Sequence, residues 1–209
     1  MNLMGKDSIG FDLDGTLWDG TGAIENAWKG FMTPDKDIIE VPNVEQLKGV
    51  MGLPLPKIMQ KLFPYLTAHK HNELIKQCII EETKYIKAHG GRLFEDLEPV
   101  LFELSQQYKL YIVSNCQSGY IEAFLEHYGF EKYFCDFECI GNTSLSKGEN
   151  IRLVMKRNNF SNTVFIGDTQ GDYDAALNAG VDFVFAQYGF GSIDNSKVPE
   201  IDKVSDLLR

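Results

Sequence analysis

The sequence has few basic residues and no long apolar run, the features that mark nucleic-acid-binding proteins and membrane proteins. Lysine and arginine together number 20, against 30 aspartate and glutamate residues, so the formal net charge is -10. Binding to nucleic acid needs clustered basic side chains, and this balance argues against DNA or RNA as a main partner. No apolar run reaches the length that a bilayer crossing requires. We therefore expect neither a nucleic-acid-binding protein nor a membrane protein.

Cysteine is also scarce, and its spacing excludes a common kind of metal site. The four cysteines form no Cys-x-x-Cys pair of the zinc-binding type: they are Cys78, Cys116, Cys135 and Cys139. The first ten residues lack the basic, apolar and small-residue succession of a signal peptide. A chain of this size needs no disulfides to fold. We expect reduced thiols and a cytoplasmic location.

Four short apolar runs predict the strands of a buried sheet. They cover 8–13, 109–113, 163–166 and 181–186, and the first three end in polar residues or a turn. Helical patterns separate or follow them at 99–107, 120–128, 147–156 and 172–179. Strands that alternate with helices indicate an α/β fold: a Rossmann-like parallel sheet with helices on both faces.

The stretch from residue 18 to residue 89 interrupts this alternation. It contains no convincing strand and looks mostly helical, with one long amphipathic stretch along Leu74, Cys78, Ile79, Glu82 and Ile86. Gly90-Gly91 is the expected return to the sheet. The sequence thus predicts a small all-helical domain at 18–89, inserted after the first strand of a core domain formed by 1–17 and 90–209.

Aspartate, serine and asparagine residues follow three of the predicted strands. A lysine begins the predicted helix between the second and the third strand. Ligands of open parallel sheets bind beyond the carboxyl ends of the strands, so these side chains should share one cleft. The set consists of Asp12 and Asp14, Ser114 and Asn115, Lys147, and Asp168 and Asp172.

Four carboxylates in one cleft repel each other unless a cation compensates them. A ligand set of oxygens without nearby histidine or cysteine favours a hard ion, and Mg²⁺ typically takes one or two carboxylates along with water and phosphate oxygens. An aspartate can attack phosphorus to give an aspartyl-phosphate, and a second carboxyl can protonate the departing alkoxide. Lys147 and Ser114 are suited to hold phosphoryl oxygens.

These residues resemble the four motifs of the haloacid dehalogenase-like (HAD) hydrolase superfamily. In order, they are Asp12-Leu13-Asp14-Gly15-Thr16, Ser114, Lys147, and Gly167-Asp168-Thr169-x-x-Asp172. The match spans nearly the whole chain, and the first and last motifs are the specific ones. A helical insert after the first motif is similar to the cap of the phosphoglycolate phosphatase and phosphoglucomutase branch.

The resemblance implies a role for each matching residue. Asp12 would be the nucleophile and Asp14 the general acid and base. Mg²⁺ would be held by Asp12, the main-chain carbonyl of Asp14 and Asp168, with Asp172 supporting these ligands from behind. Ser114 and Lys147 would bind the phosphoryl group, with Asn115 adding a backbone donor. True dehalogenases lack an aspartate two residues after the nucleophile, so Asp14 indicates phosphate ester chemistry.

The expected function is therefore magnesium-dependent hydrolysis of small-molecule phosphate monoesters through an aspartyl-phosphate. Two alternatives stay open: a phosphoglucomutase-like phosphoryl transferase and a non-catalytic phosphate-binding regulatory module. The substrate is not readable from the sequence. Substrate choice is expected to depend on the cap, and the candidate residues there and at its return are Trp18, Trp28, Lys48, Lys57 and Arg92.

Overall fold

The computed structural model describes residues 3–195 and 197–209, and this part of the chain contains eight strands and nine α-helices. The strands are β1 (Ser8–Phe11), β2 (Trp18–Asp19), β3 (Arg92–Leu93), β4 (Lys109–Ser114), β5 (Phe134–Cys139), β6 (Thr163–Gly167), β7 (Asp182–Ala186) and β8 (Glu200–Ile201). The helices are α1 (Thr21–Met32), α2 (Val44–Lys48), α3 (Leu55–Leu62), α4 (Ala68–His89), α5 (Leu97–Ser105), α6 (Tyr120–Tyr128), α7 (Ile140–Thr143), α8 (Lys147–Asn158) and α9 (Gln170–Ala179). A 3₁₀ helix, Val204–Leu208, follows β8.

Six strands form one parallel sheet in the order β5-β4-β1-β6-β7-β8. Side chains of the central strands alternate between two apolar cores: Leu110 and Ile112 of β4 lie in the larger core, and Tyr111 and Val113 in the smaller one. Since successive side chains of a strand point to opposite faces, the sheet is covered on both. The predicted Rossmann-like parallel sheet with helices on both faces is confirmed.

The sequence pattern did not predict β5, for a reason that lies in its position. β5 is an edge strand, and its apolar residues are interrupted by Asp136 and Glu138. Both carboxylates form ion pairs with Arg157 of α8, at 2.6 and 3.1 Å. A strand at the edge of a sheet does not need the continuous apolar run that identifies a central strand. The other edge strand, β8, was missed because it has only two residues.

A two-stranded antiparallel ribbon marks both ends of the helical stretch. Trp18 pairs with Leu93 and Asp19 pairs with Arg92, so the expectation of no strand between residues 18 and 89 is wrong at its first two positions. Two residues are too short to show a periodic pattern. At Gly91, a Cβ atom would lie 2.8 Å from the Trp18 ring, so the ribbon is tight at the return point. The domain boundaries themselves stay a prediction.

Helices α1 to α4 follow β2 and precede β3 along the chain, and they form the helical insert. Within it α4 packs against α1 and α3, and it also packs against α6 of the core. The buried side of α4 contains Leu74, Cys78, Glu82 and Ile86, and Ile79 lies partly buried beside them. This agrees with the predicted amphipathic stripe. It also places a carboxylate, Glu82, on a buried helix face. Within the described residues, no helix has the length and hydropathy that crossing a membrane would require.

Candidate active site

Three adjacent strands bring polar residues to one edge of the sheet. β1 lies between β4 and β6, and Asp12, Ser114 and Asp168 stand at or just after the carboxyl ends of these strands. β1 ends at Phe11, two residues before the predicted end, because the chain then enters a turn. The carboxyl ends of parallel strands are where open sheets bind ligands. The predicted convergence of these residues is therefore present in the fold.

The turn after β1 requires a glycine. Gly15 has a φ of +87°, a conformation that side chains disfavour, and a Cβ atom there would lie 2.2 Å from a carboxylate oxygen of Asp168. Any other residue would push Asp168 away from the strand ends. Because the chain turns this sharply, Asp12 and Asp14 both face one cavity.

Lys147 is a buried cation between two carboxylates. It begins α8, whose N-terminus is capped by Ser146, and its side chain is 4% exposed. Its Nζ lies 2.5 Å from Oδ1 of Asp12 and also donates to Oδ1 of Asp172. Burial disfavours the ammonium, but the two carboxylates outweigh it and raise its pKa. Lys147 is therefore charged and fixed beneath Asp12, rather than solvated.

Asp172 holds the start of α9 in place. One oxygen, Oδ2, accepts from the Thr169 main-chain N–H at 3.0 Å and from the Thr169 hydroxyl at 2.7 Å, which completes a capping box. The same oxygen accepts from the Asp168 N–H at 3.2 Å. The other oxygen receives Lys147. Asp172 thus orients the residues around it through both oxygens.

Asp168 is positioned by a loop that the sequence did not identify as part of the site. Its Oδ2 accepts from the Phe190 N–H at 2.7 Å, and the Thr16 hydroxyl lies 3.4 Å from its Oδ1. A Cβ atom at position 189 would lie 2.2 Å from the Cβ of Asp168, so only glycine fits there. At position 191 a Cβ atom would lie 2.7 Å from the main-chain oxygen of Asp168. Close packing against Asp168 is therefore the physical reason for both glycines, in a stretch interpreted from its sequence as an ordinary loop.

The carboxylates of Asp12, Asp168 and Asp172 each place an oxygen within 4.8 Å of the other two. Burial raises the pKa of Asp12 to about 6 despite the opposing Lys147 ammonium, and it raises the pKa of Asp168 well above its usual range. Among the described residues, one ammonium contacts these three buried carboxylates, that of Lys147 at Asp12 and Asp172, so their negative charge exceeds the positive charge beside them. A divalent cation with oxygen ligands would supply the missing positive charge, so the donor set fits Mg²⁺.

The carboxyl group of Asp14 lies outside this acidic cluster and has a different environment. Its Oδ1 accepts from the Tyr120 hydroxyl at 3.0 Å. Burial raises its pKa well above the usual range, and the nearby Asp12 carboxylate adds to the rise. A carboxyl group with a raised pKa is suited to act as a general acid. Asp12 and Asp14 are only two residues apart, but Asp12 contacts the Lys147 ammonium and Asp14 contacts the neutral Tyr120 hydroxyl.

Ser114 and Asn115 lie at the floor of the cavity. Ser114 is the last residue of β4 and is buried. The Asn115 side-chain amide donates to the main-chain carbonyl of Gly52 in the helical insert, at 2.8 Å. Asn115 was expected to contribute a backbone donor, and the structure adds a side-chain contact between core and insert. This contact holds the insert over the strand ends.

The cavity between core and insert is small and mainly apolar, with a volume of about 40 Å³. The core side supplies Asp12, Asp14 and Ser114, and the insert side supplies apolar residues that include Trp28, Leu47, Met51, Leu55 and Ile58. A water molecule needs roughly 10–15 Å³ of such space, so the cavity has room for about three. We expect that an organic ester enters only when the insert moves away from the core.

Of the five residues suggested as determinants of substrate choice, the structure places one in the cavity. Trp28 lines it. The other four lie elsewhere: Trp18 packs against Tyr120, Phe124 and Tyr128, Lys48 pairs with Glu45, Lys57 is exposed, and Arg92 pairs with Asp19. Lysines on the insert therefore do not face the closed cavity.

Three cavity residues were not recognised as functional from the sequence. Glu82 was assigned only to the buried side of a helix, Tyr120 only to the start of one, and Gln117 to no element. In the structure the Trp28 indole N–H donates to Glu82 Oε1 at 2.6 Å, and Gln117 donates to Oε2. The one available sequence signal was a glutamate at an apolar position of α4. Charged residues at such positions are rarely fully buried without a partner.

Glu82 should make stability depend on pH. Burial raises its pKa from 4.5 to about 7, although Trp28 and Gln117 oppose the rise. The folded state then binds more protons than the unfolded state between these values, so the free energy of unfolding falls as pH rises from about 4.5 through 7. We expect Glu82→Gln to abolish this contribution and to gain about 3 kcal/mol relative to wild type between pH 4.5 and 8.

Urea unfolding of both proteins across this pH range measures the difference. The matched control is Glu81→Gln, since Glu81 is adjacent on α4, 40% exposed and paired with Lys84. Its unfolding free energy should run parallel to that of wild type. A Glu82→Gln curve that also stays parallel to wild type would show that Glu82 titrates normally in the folded state.

A parallel sheet, a helical insert after its central strand and an acidic cluster at the strand ends define an α/β enzyme whose site is built from carboxylates. The family model described as haloacid dehalogenase-like hydrolase matches residues 9–186. The chain belongs to the haloacid dehalogenase-like hydrolase family. The resemblance drawn from the four motifs is thereby confirmed, as is the expectation of a hydrolase.

Solved structures share the fold over nearly the whole chain. A predicted phosphatase from Clostridium acetobutylicum is 24% identical, with 97% of this chain and 96% of that chain covered and a TM-score of 0.78. A predicted phosphoglycolate phosphatase from Haemophilus somnus is 21% identical, with 99% and 98% covered and a TM-score of 0.78. CbbY from Rhodobacter sphaeroides, in complex with phosphate, is 14% identical, with 97% and 96% covered and a TM-score of 0.79. No curated protein matches the sequence.

Proposed function

We propose that the protein is a magnesium-dependent phosphatase that hydrolyses small-molecule phosphate monoesters through an aspartyl-phosphate on Asp12. The observation that carries this proposal is the pair of aspartates on one cavity wall. The buried ammonium of Lys147 contacts Asp12. Asp14 accepts a hydrogen bond from the Tyr120 hydroxyl, and burial raises the pKa of Asp14. A site that only bound phosphate would not need a second carboxyl beside the first.

In the first step, the Asp12 carboxylate attacks phosphorus, the bond from phosphorus to the ester oxygen breaks, and Asp14 gives its proton to the departing alkoxide. In the second step, Asp14 takes a proton from water. That water attacks phosphorus, the bond to Asp12 breaks, and inorganic phosphate leaves. Ser114, the Asn115 backbone and Lys147 hold the phosphoryl oxygens. The apolar insert keeps bulk water out during the first step.

Four residues would hold Mg²⁺: Asp12, Asp14 through its main-chain carbonyl, Asp168, and Asp172 in support. When bound, the ion neutralises charge on the phosphoryl oxygens. The fit of the acidic cluster to a hard cation supports this assignment. Asp172 supports it further, because its hydrogen bonds to Thr169 and Asp168 fix the loop that carries the ligand.

The names of similar structures support phosphate chemistry. Two are described as predicted phosphatases, and a third holds phosphate. The proposal includes a small-molecule partner and no nucleic acid, in keeping with the acidic composition. It also includes a cytoplasmic location, in keeping with four cysteines that form no Cys-x-x-Cys pair. Phosphate release in molar equivalence to ester consumed would distinguish hydrolysis from a mutase, which returns the phosphoryl group to sugar.

The proposal is tested by phosphate release from p-nitrophenyl phosphate and small aliphatic esters, with Mg²⁺ and with chelator. We expect release with Mg²⁺ and its loss with chelator. In Asp168→Asn the Mg²⁺ concentration for half-maximal rate should rise at least about tenfold, because one ligand carboxylate is lost. The control is Asp174→Asn, an exposed carboxylate on α9. An unchanged Mg²⁺ titration in Asp168→Asn would place the ion elsewhere.

A further inference from the structure

The insert side of the cavity presents one ionisable side chain, Glu82, in an apolar wall. Around it lie Trp28 of α1, Leu47 of α2, and Leu55 and Ile58 of α3. Glu82 is 2% exposed and lies on α4. This wall faces Asp12 and Asp14, so it is the surface that meets the leaving group of a bound ester.

Glu82 has hydrogen-bond donors but no cation. Oε1 accepts from the Trp28 indole, and Oε2 accepts from the Gln117 amide. The Cys78 thiol, one turn earlier on α4, is a third donor. All three donors are neutral, and a carboxylate has about four lone-pair sites, so one stays free to accept from a ligand. A buried carboxylate is normally paired with a positive charge. Glu82 therefore provides a hydrogen-bond acceptor inside the cavity whose charge is not compensated by protein.

Positive charge is missing from the leaving-group side of the cavity. Among the described residues that line it, there is no lysine, arginine or histidine. Lys147 does not line this cavity: it donates to Asp12 and Asp172, and its third N–H stays available for a phosphoryl oxygen. A carboxylate or second phosphate on the leaving group would therefore meet Glu82 and Asp14 without a counter-ion. Burial already raises the pKa of Glu82, and the same apolar environment penalises any further anion.

We propose that the protein acts on phosphate monoesters whose leaving group carries a hydrogen-bond donor, a hydroxyl or an ammonium, that binds Glu82, and carries no second anionic group. This inference rests on the proposed phosphatase function and narrows its substrate class. It makes phosphoglycolate and bisphosphates poor substrates, although the fold is shared with a structure described as a predicted phosphoglycolate phosphatase.

Four esters of similar size test the inference because they differ in one terminal group. They are 2-hydroxyethyl phosphate, 2-aminoethyl phosphate, propyl phosphate and phosphoglycolate, which end in hydroxyl, ammonium, methyl and carboxylate. We expect kcat/KM of the better of the first two to exceed that of phosphoglycolate at least about tenfold and that of propyl phosphate about threefold or more. An ammonium preference identifies Glu82 as a counter-ion, and a hydroxyl preference identifies it as a neutral acceptor; either supports the inference.

Glu82→Gln tests the residue itself. The amide keeps an acceptor for Trp28 and can still hydrogen-bond Gln117, but it removes the charge. We expect the disadvantage of phosphoglycolate relative to 2-hydroxyethyl phosphate to shrink to about threefold or less. Glu81→Gln, on the same helix and outside the cavity lining, should keep the wild-type ranking. A purely structural role of Glu82 would instead lower the rates for all four esters by one common factor.

The outcomes distinguish failure of the proposed substrate class from failure of the proposed phosphatase function. If wild type hydrolyses phosphoglycolate as well as 2-hydroxyethyl phosphate, the phosphatase function stands and the inference is overturned. A common factor for all esters in Glu82→Gln overturns it as well. The ranking in wild type decides the matter even if the variant does not fold. Absence of release from every ester, p-nitrophenyl phosphate included, refutes the phosphatase function and the substrate class together.

Discussion

Asp12→Asn is expected to lower kcat for phosphate release by about 10³-fold or more while leaving the fold intact. The amide is a poor nucleophile towards phosphorus, and Asp12 is the carboxylate that both faces the cavity and contacts Lys147. The substitution keeps the size of the side chain and removes one of three crowded negative charges. Unfolding in urea should therefore show stability close to that of wild type.

Phosphate release in saturating p-nitrophenyl phosphate and Mg²⁺ measures the effect, and a rapid-quench assay for acid-stable phosphoprotein measures the covalent step. Asp174→Asn serves as the control, since Asp174 is exposed on α9 and bonded to Gln170. It should keep the wild-type rate. Ordinary turnover by Asp12→Asn would mean that the covalent step is assigned to the wrong residue.

Lys147→Met is expected to lower the free energy of unfolding by about 3–5 kcal/mol in metal-free buffer at pH 8. Methionine keeps much of the volume but leaves Asp12 and Asp172 without the ammonium that both contact. The pKa of Asp12 is already about 6 with Lys147 present, and it rises further without it. A group whose folded pKa is raised loses stability as pH rises, so the deficit should shrink towards pH 4.

Urea unfolding at pH 4, 6 and 8 measures this deficit, with and without millimolar Mg²⁺. Added Mg²⁺ should restore part of the stability, because a cation bound at the acidic cluster replaces part of the lost positive charge. Lys156→Met is the control, because Lys156 is exposed on the same helix. A deficit below about 1 kcal/mol at pH 8 would show that the carboxylates do not depend on Lys147.

The parallel sheet could be predicted because its central strands are buried on both faces. β1 and β6 read as continuous apolar runs, and the polar residues after them mark the edge where ligands bind. The two edge strands escaped prediction for the opposite reason. β5 carries Asp136 and Glu138 at positions that Arg157 covers, so its sequence has no continuous apolar run.

The site was predictable in its composition and less so in its arrangement. Asp12, Asp14 and Asp168 follow strands and were found from local sequence alone. Whether Lys147 was buried or solvated was a question of tertiary structure, because its contact with Asp12 joins residues 135 apart in sequence. The main-chain N–H of Phe190 donates to Asp168 from 22 residues away along the chain. Phe190 lies in a loop without a recognisable motif, so no sequence pattern indicated this contact.

The sequence by itself determined the class of protein: an α/β fold, a helical insert after the first strand, and a carboxylate site whose motifs define the family. These features are encoded in local periodicity and in residues close to strand ends. Only the tertiary structure decided which residues face Asp12 and Asp14 across the cavity. Glu82 meets Trp28 and Gln117 from positions 54 and 35 residues away, and no local pattern encodes such a contact. The proposed determinant of specificity lies where the insert meets the core, so it depends on packing between distant segments.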